Sequence, residues 1–173
     1  MIRRLRFIWS RTCLPVAGTT GYEALREIGG LFVDPAGAGA LTALYESSGV
    51  GYDEMASLER QLKTAAAADT LRSELRRLCR TVVGAVGVDD PRLPDAIAAL
   101  LSHIGVYRSD YRGLSAVMST ALAETAAESP DLAMPLQLVA TALARGGEPA
   151  VRLQQLCGAV TAKSIEDCLF YRD

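Results

Sequence analysis

The densest group of chemistry-bearing side chains lies at the end of the chain, where Lys163, Glu166, Asp167, Phe170, Tyr171 and Arg172 fall within ten residues on an apolar framework. A lysine ammonium donates up to three hydrogen bonds and an arginine fork up to five, while ionised carboxylates only accept. Such a set brings donors, acceptors and aromatic faces together in one stretch. Glu166 and Asp167 do not make a catalytic acid/base pair, because neighbours on a helix diverge by about 100° and cannot flank one bond. Asp34 and Asp53 each precede a helix pattern and read as caps, so no second carboxylate pair emerges. Two readings of Lys163 stand side by side, a ligand contact and an ion pair with Glu166 at i, i+3. Arg172 is expected to pair with Glu166 or Asp167.

The single histidine, His103, sits between Ser102 and Ile104 and is expected to pack or cap rather than act as a base. Cys13, Cys79, Cys157 and Cys168 have no C-x-x-C spacing and no paired histidines, which excludes a zinc site of the usual kind. They read as reduced, apolar-like residues of a cytoplasmic protein. Gly18-Thr-Thr-Gly21 lacks the spacing and the lysine of a phosphate-binding loop. No cofactor or metal is implied. A net charge of −2 argues against a nucleic-acid partner. Arg72, Arg76, Arg77 and Arg80 face outward with Glu74 as a solvated helix surface. No apolar run is long enough to cross a membrane, and Met1 to Thr12 is a basic segment without the apolar core of a signal peptide.

The elements that must hold these residues are helical. The chain has 173 residues, half of them hydrophobic but only 6% aromatic, and it is rich in alanine and leucine, which favours helix over sheet. Thr19 or Thr20 is positioned to cap a short helix over 22–28 that stops at Gly29-Gly30. Asp34-Pro35 starts the next helix, with Leu41, Leu44 and Tyr45 as its buried stripe, ending near Ser47. From Asp53 a run of apolar residues reaches Val86. As one helix it would span roughly 50 Å, and its stripe changes phase near Ala67–Thr70, where a break is expected. Further helices are expected over 95–105, from Leu114 to Leu122, after Ser129-Pro130, and from Glu148-Pro149 toward Cys157. Strand is expected only at Leu31–Val33 and at Gly158–Ala162. No repeat length recurs, which excludes a solenoid. The pattern predicts six to eight helices joined by short loops.

Four blocks resemble the maltooligosyltrehalose synthase family, in order and spacing. They are Ala17-Gly-Thr-Thr-Gly-Tyr22 with Gly30-Leu-Phe-Val-Asp-Pro35, then Ala40-Leu-Thr-Ala-Leu-Tyr45, then Val106-Tyr-Arg108 with Tyr111, and finally Gln154-Gln155, Ala162-Lys163, Glu166-Asp167 and Phe170-Tyr-Arg172. The resemblance implies a mainly α chain, the helical insertion of a cytoplasmic, α-amylase-like (β/α)8-barrel enzyme, with barrel remnants at both ends. It divides the chain into a non-matching basic segment (1–13), a barrel loop and helix (14–33), the insertion (34–150) and a return to the barrel wall (151–173). The implied reaction is an intramolecular transglucosylation that turns the reducing-end α-1,4 bond of a maltooligosaccharide into an α,α-1,1 bond, giving maltooligosyl trehalose. A retaining course needs a nucleophilic carboxylate and a carboxylic acid about 5 Å apart. The family's catalytic carboxylates precede Ala17 or follow Arg172, so none is expected in this chain, which is then an internal piece inactive alone. Alongside the resemblance, Lys163, Tyr22, Phe170 and Tyr171 are the candidate substrate contacts, with Glu166, Asp167 and Arg172 as structural supports; a place in the core is the other reading of Tyr22, Phe170 and Tyr171. The expected partners are a maltooligosaccharide and the remaining barrel segments. A free-standing helical interaction module is the alternative.

Overall fold

The structure, a computed structural model, describes residues 22–47, 49, 52–110 and 112–169. The residues fall into two units, one ending at Tyr52 and one beginning at Asp53. Among the described residues all regular structure is helical.

The first unit contains α1 (Tyr22–Gly30), a 3-10 turn (Pro35–Gly37) and α2 (Ala38–Ser47). Asp34 caps as its sequence position predicts: its Oδ1 accepts from the Ala36 N–H at 2.9 Å, and Pro35 opens the turn. The expected strand at Leu31–Val33 is absent. The N–H groups of Leu31, Phe32 and Val33 instead bond the carbonyls of Ile28, Gly29 and Gly30, satisfying the last turn of α1. The predicted buried stripe of α2 is also corrected, since Leu41, Leu44 and Tyr45 are all exposed. Two helices of nine and ten residues cannot by themselves bury both apolar faces. Thr19 and Thr20 lie outside the described residues.

The second unit contains α3 (Tyr52–Ala65) from its second residue onward, α4 (Arg72–Val86), α5 (Leu93–Ser102), α6 (Ser115–Glu128), α7 (Ala133–Ala144) and α8 (Glu148–Thr161). A π-type turn over Ala66–Thr70 separates α3 from α4, where the apolar phase changes. Asp53 does not precede its helix as expected, because α3 already begins at Tyr52. The core forms around α5. Ala96, Ile97, Ala98, Leu100 and Leu101 are all buried, so this helix is covered on nearly every side. Its alanines let α4, α6 and α7 approach closely, and α8 closes on α4. Leu78 and Val82 from α4, Val139 from α7, and Leu153 and Val160 from α8 complete the cluster. α5 starts two residues before its predicted position because Pro94 fits the first turn, where its missing N–H costs nothing. α4 stops at Gly87, whose φ of 77° is the left-handed cap geometry that favours glycine.

The second expected strand, Gly158–Ala162, is helical as well. α8 continues through Thr161 into π turns over Ala162–Leu169. The buried Ser164 hydroxyl donates to the Val160 carbonyl at 2.7 Å, one turn back. A β-carbon on Gly158 would stand 3.5 Å from the Tyr107 carbonyl oxygen, an ordinary contact that places the 104–110 segment against α8.

Candidate functional site

The segment from Ile104 to Asp110 leaves α5 without regular structure and runs along the last helix of the chain. An extended segment must find partners for its backbone polar groups outside itself, and α8 supplies them. The Gln154 amide oxygen accepts from the Ser109 N–H at 2.8 Å, and its nitrogen donates to the Ser109 hydroxyl at 2.9 Å. The Cys157 thiol lies 3.2 Å from the Val106 carbonyl oxygen. Burial pushes that thiol up to about 11, opposed by the charge of Lys63 and a hydrogen bond with Thr161. Farther along, the Tyr107 phenol donates to Glu166 Oε1. This bond, with partial burial and the carboxylate's charge, pushes Tyr107 up to about 12.

These contacts join two of the blocks singled out in the sequence, Val106–Arg108 and the stretch from Gln154 to Asp167. They also separate the two adjacent acids. Glu166 faces Tyr107, whereas Asp167 Oδ2 lies 2.6 Å from the Lys163 ammonium at i, i+4. Lys163 therefore has its ion pair, but with Asp167 and not with Glu166 as expected. The wider π turn places the fourth residue beneath it, and the hydrogen bond raises the lysine pKa. Lys163 remains half exposed. Phe170, Tyr171 and Arg172 lie outside the described residues, so the pairing expected for Arg172 does too. Tyr22 opens α1 in the other unit, and its side chain is likewise outside what is described.

His103 packs and caps. Its N–H bonds the Leu100 carbonyl at the end of α5, and its ring nitrogens each lie 3.4 Å from a carboxylate of α6, Nδ1 from Glu124 and Nε2 from Glu128. The ring sits between two α6 carboxylates, the packed position expected for it. Arg108 pairs with Asp110 within the segment, at 2.5 and 3.0 Å.

One contributor escaped the sequence reading. The side chain of Lys63 in α3 is only 1% exposed, donates to the Ile104 carbonyl at 2.9 Å and pairs with Glu59 at 2.7 Å. The apolar pattern from Asp53 onward includes Leu62, Ala65 and Ala66; Ala66 is buried as that pattern implies, but so are Ala67 and, on the same side of the helix, Lys63. Its only sequence signal is Glu59 four residues earlier, a spacing that is common on exposed helices.

Among the described residues no group of three histidines, cysteines or acids could hold a metal ion, and no helix is long and apolar enough to cross a membrane. A groove of about 480 Å³ between α4 and α8 carries one carboxylate, that of Glu148. What the 104–110 segment and α8 build is a braced wall, with a lysine, a tyrosine and two separated acids on its outer side.

No family model matches the chain. It is 63% identical over 160 residues to the putative maltooligosyl trehalose synthases of Mycobacterium tuberculosis strains CDC 1551 / Oshkosh and H37Rv, which covers 92% of this chain. It spans about a fifth of the length of those relatives, 21%. Among solved structures it is similar to maltooligosyltrehalose synthase from Arthrobacter ramosus and to a point mutant of that enzyme. Both superpose with a TM-score of 0.71 at 37% identity, over 91% of this chain and 20% of theirs.

Proposed function

We propose that this chain, homologous to about a fifth of maltooligosyltrehalose synthase, is a helical insertion of such an enzyme that forms one wall of its maltooligosaccharide site. The observation that carries the reading is the junction of two distant family-like blocks. Gln154 clasps Ser109, Tyr107 reaches Glu166, and Lys163 stands beside them with Asp167. An ammonium has three donors. One goes to Asp167, which leaves two for sugar hydroxyls. Tyr22, Phe170 and Tyr171 are assigned as further sugar contacts, and Glu166, Asp167 and Arg172 as their supports.

The complete enzyme would convert a reducing-end α-1,4 bond to α,α-1,1 in the cytoplasm. Cleavage with retention requires a carboxylate nucleophile and a carboxylic acid about 5 Å apart, and a covalent glycosyl-enzyme would follow. This chain carries neither in the proposal. The released glucose must attack in place of water, so the wall's task is to hold the sugar and keep water out. Residues 34–150 are assigned to the insertion and 14–33 and 151–173 to its returns into a barrel. The purified chain is expected to form no maltooligosyl trehalose from maltopentaose, while a complete synthase with its aligned stretch replaced by this chain remains active. Product from the chain alone, or a soluble but inactive chimera, contradicts the reading.

A second reading, a free-standing helical module, draws on the closed core of the second unit. It requires the chain to run as a compact monomer or defined oligomer and to melt cooperatively. Binding of a hydrophobic dye by the folded chain speaks against it.

A further inference from the structure

The groove between α4 and α8 has a charge pattern that the proposed sugar wall does not use. On α4, Arg77, Arg80, Thr81 and Gly84 recur at i, i+3, i+4 and i+7 and line one side; Glu148 and Arg152 of α8 line the other. A space of about 480 Å³ is in the range of small-molecule sites. Arg77 and Arg80 form no ion pair among the described residues. The acid nearest in sequence, Glu74, is engaged by the Ser73 hydroxyl at 2.7 Å and also feels the charge of Arg77, without forming an ion pair with it. Two planar guanidinium forks on adjacent turns suit a phosphate, which accepts parallel N–H bonds.

The opposite side has another character. Arg152 donates through Nε and Nη2 to the same oxygen of Glu148, Oε1, at 2.7 and 2.5 Å. That pair is neutral overall, and the second carboxylate oxygen of Glu148 remains as an acceptor. A bare anion gains nothing there, whereas a ligand hydroxyl does. Thr81, on the arginine side, donates its hydroxyl to the Leu78 carbonyl at 2.8 Å, so that proton is spent on its own helix. Gly84 leaves the floor without a side chain, and a β-carbon there would meet nothing within 4 Å. Phosphate donors on one side and a carboxylate acceptor on the other describe one ligand class.

We propose that this groove binds a phosphorylated monosaccharide, its phosphate on Arg77 and Arg80 and a ring hydroxyl on Glu148. The site stands apart from the 104–110 wall and does not depend on the function proposed for it. The test is calorimetric titration of the full chain with glucose 6-phosphate, glucose and inorganic phosphate as probes. The expected result is saturable binding of glucose 6-phosphate with a Kd at or below about 1 mM, weaker binding of phosphate and none of glucose. The double variant Arg77→Ala/Arg80→Ala should weaken binding by about tenfold or more. Glu148→Ala should erase the preference over inorganic phosphate. These side chains are mostly exposed, and amide shifts at Arg80 and Gly84 on titration give an independent readout of the same site. Absent saturation, indifference to the arginine changes, or inorganic phosphate binding as tightly as the sugar phosphate overturns the proposal.

Discussion

Lys63 offers the sharpest quantitative test of how the wall is held. Its ammonium is buried with two partners, the Ile104 carbonyl and the Glu59 carboxylate. Lys63→Met keeps most of the aliphatic stem but removes the donor. Glu59 is a third exposed and can turn to water, so the loss falls on the Ile104 carbonyl, left buried without its bond. An unsatisfied buried group costs about 1–3 kcal/mol. Lys63→Ala also removes the buried stem and opens a cavity, which adds to that cost. Urea unfolding followed by helical ellipticity measures both. With a slope of about 1–3 kcal/mol per molar, Lys63→Met should lower the midpoint by roughly 1 M, and Lys63→Ala by more. Hydrogen exchange across 104–110 should quicken in both variants. A Lys63→Met protein as stable as the parent, or more so, would refute the reasoning. It would mean that desolvating the ammonium costs more than its bonds return.

Two further outcomes follow from the shifted groups. Tyr107 is raised from 10.0 to about 12 by Glu166, so its contribution to stability is complete below pH 10 and is lost as pH climbs toward 12. Urea midpoints over that window should fall less in Tyr107→Phe than in the parent, and equal slopes would remove the bond from the folded state. Burial raises Cys157 and Cys79 from 9.0 to about 11. Since the thiolate is the nucleophile, both should resist iodoacetamide at about pH 8 until the chain is unfolded. Peptide mass mapping that finds rapid native alkylation of Cys157 would place it outside the core.

Where local chemistry decides the outcome, the fold is readable from the residues. Asp34-Pro35 opens a helical turn because the side chain and ring satisfy the turn by themselves. The phase slip at 66–70 marks a real break because a continuous helix would rotate its apolar stripe out of the core. The misreadings come from longer range. Leu31–Val33 looked like strand, yet its N–H groups are claimed by the end of α1. Gly158–Ala162 looked like strand too, but α8 runs through it into the following π turns. Leu41 and Leu44 have the spacing of a buried stripe but are exposed. In the candidate site, the acids at 166 and 167 were expected to diverge, and they do. Their partners were not foreseen, because the π turn shifts Lys163 to Asp167 and the bond from Tyr107 spans a sequence separation of 59. Lys63 was invisible because a lysine on an amphipathic helix ordinarily faces water.

The most direct test of the wall as a sugar-binding surface is the kinetics of Lys163→Ala in a complete synthase carrying this chain's sequence, beside Asp167→Asn. If two of the lysine's donors bind sugar hydroxyls, Lys163→Ala should raise KM for maltopentaose by about tenfold, as expected for one charge-assisted hydrogen-bond site of about 1.5–3 kcal/mol. Asp167→Asn, which frees the ammonium but leaves it in place, should change KM far less. Unaltered kcat and KM in Lys163→Ala would contradict the account and leave Lys163 as the surface partner of Asp167 alone.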